Sequence, residues 1–217
     1  MSTKPLQTKN LYFTSRLLKA LEGIWEHPPI VEAPMGYGKT TVVKHILSRA
    51  DANVLWLRVY DDSTDNFWDA FARLFGELKD GLNISLVQLG LPDDAVSLRE
   101  TLKLLGGIEL SRKCVLVIDD YHLLGSPEID GFLTALIENE VENLYIVLTQ
   151  RYTKLQKLEE LSLKGLLYHI TKESFELSAE DIVEYYGKCG VSISQEQAGQ
   201  LYLTTEGWIS ALYLMLL

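Results

Sequence analysis

A chain of 217 residues that is 47% hydrophobic has the apolar material for a sizeable core, in one domain or in one large domain with a small appendage. Its 20 Lys and Arg against 30 Asp and Glu leave a net charge of -10, which argues against broad non-specific nucleic-acid binding by this stretch. Its two cysteines, Cys114 and Cys189, make neither a zinc pattern nor a disulfide framework, so a reducing, cytoplasmic setting is expected.

Residues 1–10 carry lysines but no apolar stretch of the secretory kind. Residues 15–25 place Leu17, Leu18, Leu21 and Trp25 at helical spacing, and His27-Pro28-Pro29 ends that helix. Residues 29–32 (PIVE) form a short strand, and residues 40–49 a helix with Val42, Val43, Ile46 and Leu47 on one face. Residues 53–60 (NVLWLRVY) predict a strand buried on both faces. Residues 66–79 predict an amphipathic helix whose stripe is Phe67, Phe71, Leu74, Phe75 and Leu78. Residues 80–95, with Gly81, Gly90 and Pro92, predict an irregular loop or insertion. Helix is expected from 96 to Gly106-Gly107, a buried strand at 114–118 that hides the Cys114 thiol, a helix at 128–139 and a buried strand at 144–148. A short helix at 155–163 and a short strand at 167–170 complete the series. Alternating apolar runs and helices mean a parallel sheet covered on both faces. After Phe175 only helices follow, at 178–187, 194–203 and 208–217; the first opens on Ser178 and Asp181, which form a capping box with Asp in place of Glu. The expected division is an α/β domain over residues 1–174 and a small helical subdomain over 175–217. No run of about 18 apolar residues is present, so no membrane span is expected.

Between the strand at 29–32 and the helix at 40–49 runs Ala33-Pro34-Met35-Gly36-Tyr37-Gly38-Lys39-Thr40-Thr41. A small residue, four free positions and Gly-Lys-Thr, set between strand and helix, is the pattern of a phosphate-binding loop. Inward-turned backbone N–H groups make an anion site, and the helix start adds its positive dipole end. Lys39 would reach the β- and γ-phosphates, and the Thr40 hydroxyl would ligate Mg²⁺. Gly36 and Gly38 supply backbone angles and close approach that a Cβ blocks, whereas Ala33 replaces Gly only if its own φ is negative. Such a site also needs a carboxylate at the end of a neighbouring strand. Cys114-Val115-Leu116-Val117-Ile118-Asp119-Asp120 supplies it, 80 residues after Lys39. Asp119 is expected to hold Mg²⁺ and Asp120 to polarise the attacking water. Val147-Leu148-Thr149-Gln150-Arg151 puts polar groups after the next strand, where Arg151 could donate bidentately to a γ-phosphate. His122 is read as a packing or hydrogen-bonding residue.

Three stretches, Ala33 to Thr41, Leu116-Val117-Ile118-Asp119-Asp120-Tyr121-His122 and Thr205-Glu206-Gly207-Trp208, together resemble the STAND class of P-loop ATPases. Within it they are most similar to the nucleotide-binding module of large ATP-binding LuxR-type transcriptional regulators, and the resemblance covers nearly the whole chain. It implies a P-loop NTPase sheet of the ASCE type, with a sensor strand between the loop strand and the Asp119 strand, and a helical lid after the sheet. It implies ATP or ADP with Mg²⁺ as ligands, self-association in the ATP-bound form, and DNA contact only through a C-terminal domain outside this chain. Residues 175–217, with one lysine and six acids, are no DNA-reading element. Many STAND proteins carry proline two residues after the lid glycine, near the adenine; here Ile209 stands there. The final apolar helix without a polar tail is expected to be covered, as in the N-terminal part of a longer protein.

Other readings compete. A motor or loader ATPase of the AAA+ type usually carries Asp-Glu rather than Asp119-Asp120. A small-molecule kinase needs an acceptor site. A nucleotide-binding interaction module would lack turnover.

Overall fold

The computed structural model describes residues 11–152 and 158–217. Five strands make one parallel sheet: β1 (Pro29–Glu32), β2 (Asn53–Arg58), β3 (Cys114–Asp119), β4 (Leu144–Gln150) and β5 (Tyr168–Ile170). Their order is β2-β3-β4-β1-β5. Thus β4 lies between the loop strand and the Asp119 strand, with Val117 opposite Val147 and Val31 opposite Thr149. This is the sensor-strand placement that the resemblance implies.

Helices cover both faces, as a parallel sheet requires. On one face α1 (Ser15–Glu22) and α2 (Lys39–Leu47) bury Leu17, Leu21, Val42, Val43 and Leu47 against Val31, Val115, Val117 and Val147. On the other lie α3 (Thr64–Gly76), α4 (Leu82–Leu89), α5 (Ala95–Gly106), α6 (Pro127–Glu138) and α7 (Leu158–Leu163). Phe71 is the centre of that layer: its ring stacks on Phe75 at 4.3 Å and meets Phe132 edge-on at 5.2 Å. Burying each such side chain contributes about 1.5–3 kcal/mol. Cys114 is wholly buried at the start of β3, and burial pushes its thiol up to about 11.

Two expectations change. Residues 80–95 hold a helix, α4, where a loop or insertion was predicted. Gly81 and Gly90 are its end caps, both at positive φ, rather than interruptions. Leu82 and Leu86, four apart, face the core, and the Trp68 indole donates to the Leu86 carbonyl at 3.0 Å. The second correction concerns β2, which is an edge strand and not buried on both faces. Asn53, Val54 and Arg58 are exposed while Leu55 and Leu57 are buried. The apolar run records the inner face plus Trp56, which is shielded by Lys44 lying 4.9 Å from its ring centroid. For the helix expected at 155–163, residues 155–157 lie outside the described residues, as does the reading of residues 1–10.

After β5 come α8 (Lys172–Phe175), α9 (Ala179–Lys188), α10 (Gln195–Thr205) and α11 (Ile209–Leu214). The expected capping box is present: the Ser178 hydroxyl accepts from the Asp181 N–H, and Asp181 accepts from the Ser178 N–H. Leu177, Ile182, Tyr185, Tyr186, Ala198 and Leu212 form a separate small core, joined by Tyr12. The Tyr12 hydroxyl donates to Asp181 and Glu184, at 2.9 and 3.0 Å, which ties the N-terminal segment to α9.

The neck of this helical unit is Gly207. Its φ is +71°, and its carbonyl accepts from the Leu177 N–H at 3.1 Å. A Cβ there would stand 2.4 Å from the Leu177 oxygen, which is backbone and cannot swing aside. Gly207→Ala is therefore expected to destabilise by about 2–4 kcal/mol, lowering Tm by roughly 5–15 °C. An unchanged melting curve would show that the neck has slack. Among the described residues, no helix is long and apolar enough to cross a membrane.

Candidate nucleotide site

The loop 33–41 opens where β1 ends and closes on the first turn of α2. Gly38 is the residue before α2 and has φ +87°. No atom would obstruct a Cβ there, so its need for glycine is conformational. Gly36 is constrained twice, by φ +83° and by the Ser210 Oγ and Trp208 Nε1 that a Cβ would approach to 2.8 Å. Ala33 has no positive φ and is buried, as its replacement of glycine demanded. Pro34 and Met35 are exposed, Tyr37 is buried, and Thr41 is exposed on α2.

Lys39 is buried, and its ammonium donates to the carbonyls of Ala33 (2.6 Å) and Pro34 (3.1 Å). Its proton affinity is lowered from the ordinary lysine value, by burial first and by Arg151 in addition, against the opposing pull of Asp120 and Asp119. Both aspartates and Arg151 therefore share one electrostatic neighbourhood with Lys39. Thr40 and Asp119 come from different elements and meet: the Thr40 hydroxyl donates to both Asp119 oxygens, at 2.9 and 3.2 Å. Asp119 is buried at the C-terminal end of β3.

Thr149, on β4 and wholly buried, joins the two aspartates. Its hydroxyl donates to Asp119 Oδ1 at 2.6 Å and accepts the Asp120 N–H at 3.2 Å. The sequence marked this strand end as polar but did not single Thr149 out. Its register partner Val31 leads into the loop, which is the geometric signal that one strand does not carry. Asp120 has φ +61°, a left-handed conformation that Asp tolerates better than most residues. Its carboxylate pairs with Arg58 at 3.2 Å. Arg151 is exposed directly after β4. His122 is buried and lies edge-on to Tyr152 with ring centroids 5.5 Å apart.

Beside the loop lies a mainly apolar cavity of about 190 Å³. Tyr12 and Phe13 wall it on one side, Tyr37 and Gly38 on another, and Ile209 and Tyr213 close it from the helical unit. Sequence reasoning missed residues 11–14 here, since three apolar residues before a helix cap carry no spacing signal. Ile209, which departs from the proline of many STAND proteins, nevertheless lines this cavity.

The donor set suits a hard cation. Thr40 and Asp119 offer a hydroxyl and a carboxylate oxygen within hydrogen-bond distance, the oxygen chemistry that Mg²⁺ prefers. Among the described residues, no group of three or more His, Cys, Asp or Glu could hold a metal, so the remaining ligands would be phosphate oxygens and water.

A phosphate loop between β1 and α2, a buried acid on β3 and a polar strand end between them define a P-loop nucleoside triphosphatase. The chain belongs to the AAA domain family, whose model matches residues 27–159. It is 26% identical over 226 aligned residues to the HTH-type transcriptional regulator MalT of Vibrio campbellii, a match that covers 99% of this chain and 24% of that one. The chain thus spans about a quarter of the length of the curated relatives it matches. Among solved structures it is similar to a Signal Transduction ATPase with Numerous Domains carrying a tetratricopeptide repeat sensor, from Pyrococcus horikoshii, with TM-score 0.60 and 14% identity over 94% of this chain and 30% of that one. A Walker-type ATPase of Pyrococcus abyssi follows, with TM-score 0.54 and 12% identity over 97% of this chain and 68% of that one. At these identities the structures speak for the fold, and the MalT match supports the reading as a P-loop ATPase domain of a MalT-like regulator.

Proposed function

We propose that this chain is the nucleotide-operated switch of a signal-responsive transcriptional regulator, with ATP and Mg²⁺ as its ligands. The observation that carries the reading is the contact between loop and helical unit. Tyr37 of the loop stacks on Trp208 with ring centroids 6.2 Å apart and planes 21° apart. The Ser210 hydroxyl donates to the Gly36 carbonyl at 2.5 Å. Lys172 binds Glu176 and Glu206 at 3.0 and 3.3 Å and lies over the Tyr37 ring. These contacts would pass a shift of residues 36–38 on to residues 206–210, which supports the reading of 175–217 as a lid.

In this reading the loop N–H groups and Lys39 bind the phosphates, Thr40 and Asp119 hold the metal, and the cavity beside Tyr37 takes the base. Mg²⁺, when bound, would supply positive charge that offsets the negative charge of the phosphates. Thr149 fixes the buried acid and the backbone of Asp120, so that Asp120 accepts a proton from the attacking water. Arg151 reports on the γ-phosphate. Turnover is slow, and the ATP-bound lid position favours self-association in the cytoplasm. DNA contact belongs to a domain outside these residues, in keeping with the name of the relatives, HTH-type transcriptional regulators.

Sedimentation velocity with and without Mg-ATP, beside steady-state ATPase assays, tests the switch. The expected result is faster sedimentation with ATP than with ADP, at a turnover well below the typical enzyme value of about 10 s⁻¹. Rapid turnover stimulated by a protein substrate, with no change in sedimentation, would favour a motor instead.

A further inference from the structure

The sheet ends at β2, and that end is open. Among the described residues β2 pairs with β3 alone. Backbone N–H and C=O groups point to alternate sides along a strand. The N–H groups of Asn53 and Val59 point to the β3 side, donating to the carbonyls of Lys113 and Asp119 at 2.8 and 2.9 Å. The same parity turns Leu55 and Leu57 inward and leaves the backbone groups of Val54, Trp56 and Arg58 facing outward. Such an edge is a template for another strand unless proline, a bulge or a covering element blunts it. β2 contains no proline, and a cavity of about 520 Å³ is lined by every residue from Trp56 to Asp61. Lys44 of α2 and Arg73 of α3 line it too. These helices cover opposite faces of the sheet, so a cavity that reaches both wraps the edge between them.

The charges in the cavity are unevenly engaged. Asp61 accepts from the Ser63 N–H and the Asn66 amide, and Asp119 accepts from the Thr40 and Thr149 hydroxyls. Lys44 and Arg73 are exposed, and among the described residues neither forms an ion pair. One cation thus stands over each face of the open edge. A second copy of this chain is the wrong occupant, because β2 against β2 would bring Lys44, Arg58 and Arg73 of both copies together. We propose that β2 is a docking edge for an extended acidic segment of a partner protein, which adds a strand and directs one carboxylate to Lys44 and another to Arg73. Main-chain hydrogen bonds to Trp56 and Arg58 supply affinity, and the two carboxylates supply selectivity. Side chains alternate along an extended segment, so carboxylates that reach opposite faces lie an odd number of residues apart.

Amide hydrogen exchange of the full chain, followed by NMR, reads the edge. The Trp56 and Arg58 amides should exchange about tenfold faster than those of Leu55 and Leu57, or more. Equal protection in the chain alone means that the edge is already covered, and overturns the inference. Probe peptides of about seven residues, alternating Val and Thr, then read the occupant. One probe carries two Glu an odd number of residues apart, a second carries them an even number apart, and a third has Lys in place of Glu. The first should bind tightest and slow exchange at Trp56 and Arg58. Lys44→Ala and Arg73→Ala should each weaken it about two- to fivefold. N-methylation of alternate probe amides should abolish binding in one parity and spare it in the other. A Lys probe that binds as well as the Glu probe overturns the proposal, as does indifference to spacing or to the parity of methylation. Protection that grows with protein concentration and without probe makes the occupant a second copy, and overturns it too.

Discussion

Lys39→Ala is expected to lose Mg-ATP affinity by about two to four orders of magnitude, to the edge of detection by titration calorimetry. Lys39 is 7% exposed, and its ammonium bonds two loop carbonyls, at 2.6 and 3.1 Å. Those bonds aim it along the concave side of the loop. With phosphate oxygens as acceptors, each charge-assisted bond contributes about 1.5–3 kcal/mol. Two of them amount to a factor of about 10² to 10⁴, since 1.4 kcal/mol is tenfold. The same substitution removes a buried charge whose proton affinity burial already lowers, so folding should be little impaired. A matched melting temperature would locate the loss in the site. Equal affinity for wild type and variant would refute the assignment of the loop.

Asp120→Ala should separate binding from chemistry. The Asp120 carboxylate pairs with Arg58 and its N–H with the Thr149 hydroxyl, and neither partner belongs to the phosphate loop. The variant is expected to bind Mg-ATP within about threefold of wild type and to hydrolyse it about 10² to 10³ times more slowly, the usual loss for a missing general base. The check is single-turnover hydrolysis beside calorimetry. Turnover within a few fold of wild type would move the base elsewhere. Loss of binding would mean that the residue acts through the fold, because alanine tolerates φ +61° less well than aspartate.

The central chemistry was legible because it is written in contiguous residues. Gly38-Lys39-Thr40 carries its own backbone requirement, and Asp119 follows apolar residues that can only be a buried strand. The place of the sensor strand between the loop strand and the Asp119 strand then followed from the resemblance, and the sheet agrees with it. What escaped were properties that depend on neighbours. Residues 82–89 are helical because Leu82 and Leu86 meet Phe- and Trp-bearing α3, whereas their flanking glycines suggested a loop or insertion. The exposure of β2 is decided by its place at the sheet edge, which an apolar run cannot disclose. Thr149 and Arg58 acquire meaning only from the register that sets them beside Asp119 and Asp120. The walls of the cavity beside Tyr37 come from residues more than 150 positions apart, such as Tyr12 and Ile209.

The neck at Gly207 has a mechanical side. Leu177 and Gly207 are joined backbone to backbone, with no room between them for a methyl group. The chain from 177 to 207 is thus a closed ring, filled by Tyr185, Tyr186 and Ala198. A ring pinched at its base is expected to turn as a block about a fulcrum rather than to flex one helix at a time. Trp208 and Ser210 sit immediately beyond that fulcrum, on the short arm of the lever, and they press on Gly36 and Tyr37. The helices α9 and α10 form the long arm. A displacement of the loop too small to alter the sheet would therefore arrive at the far ends of those helices enlarged, by the ratio of the two arms.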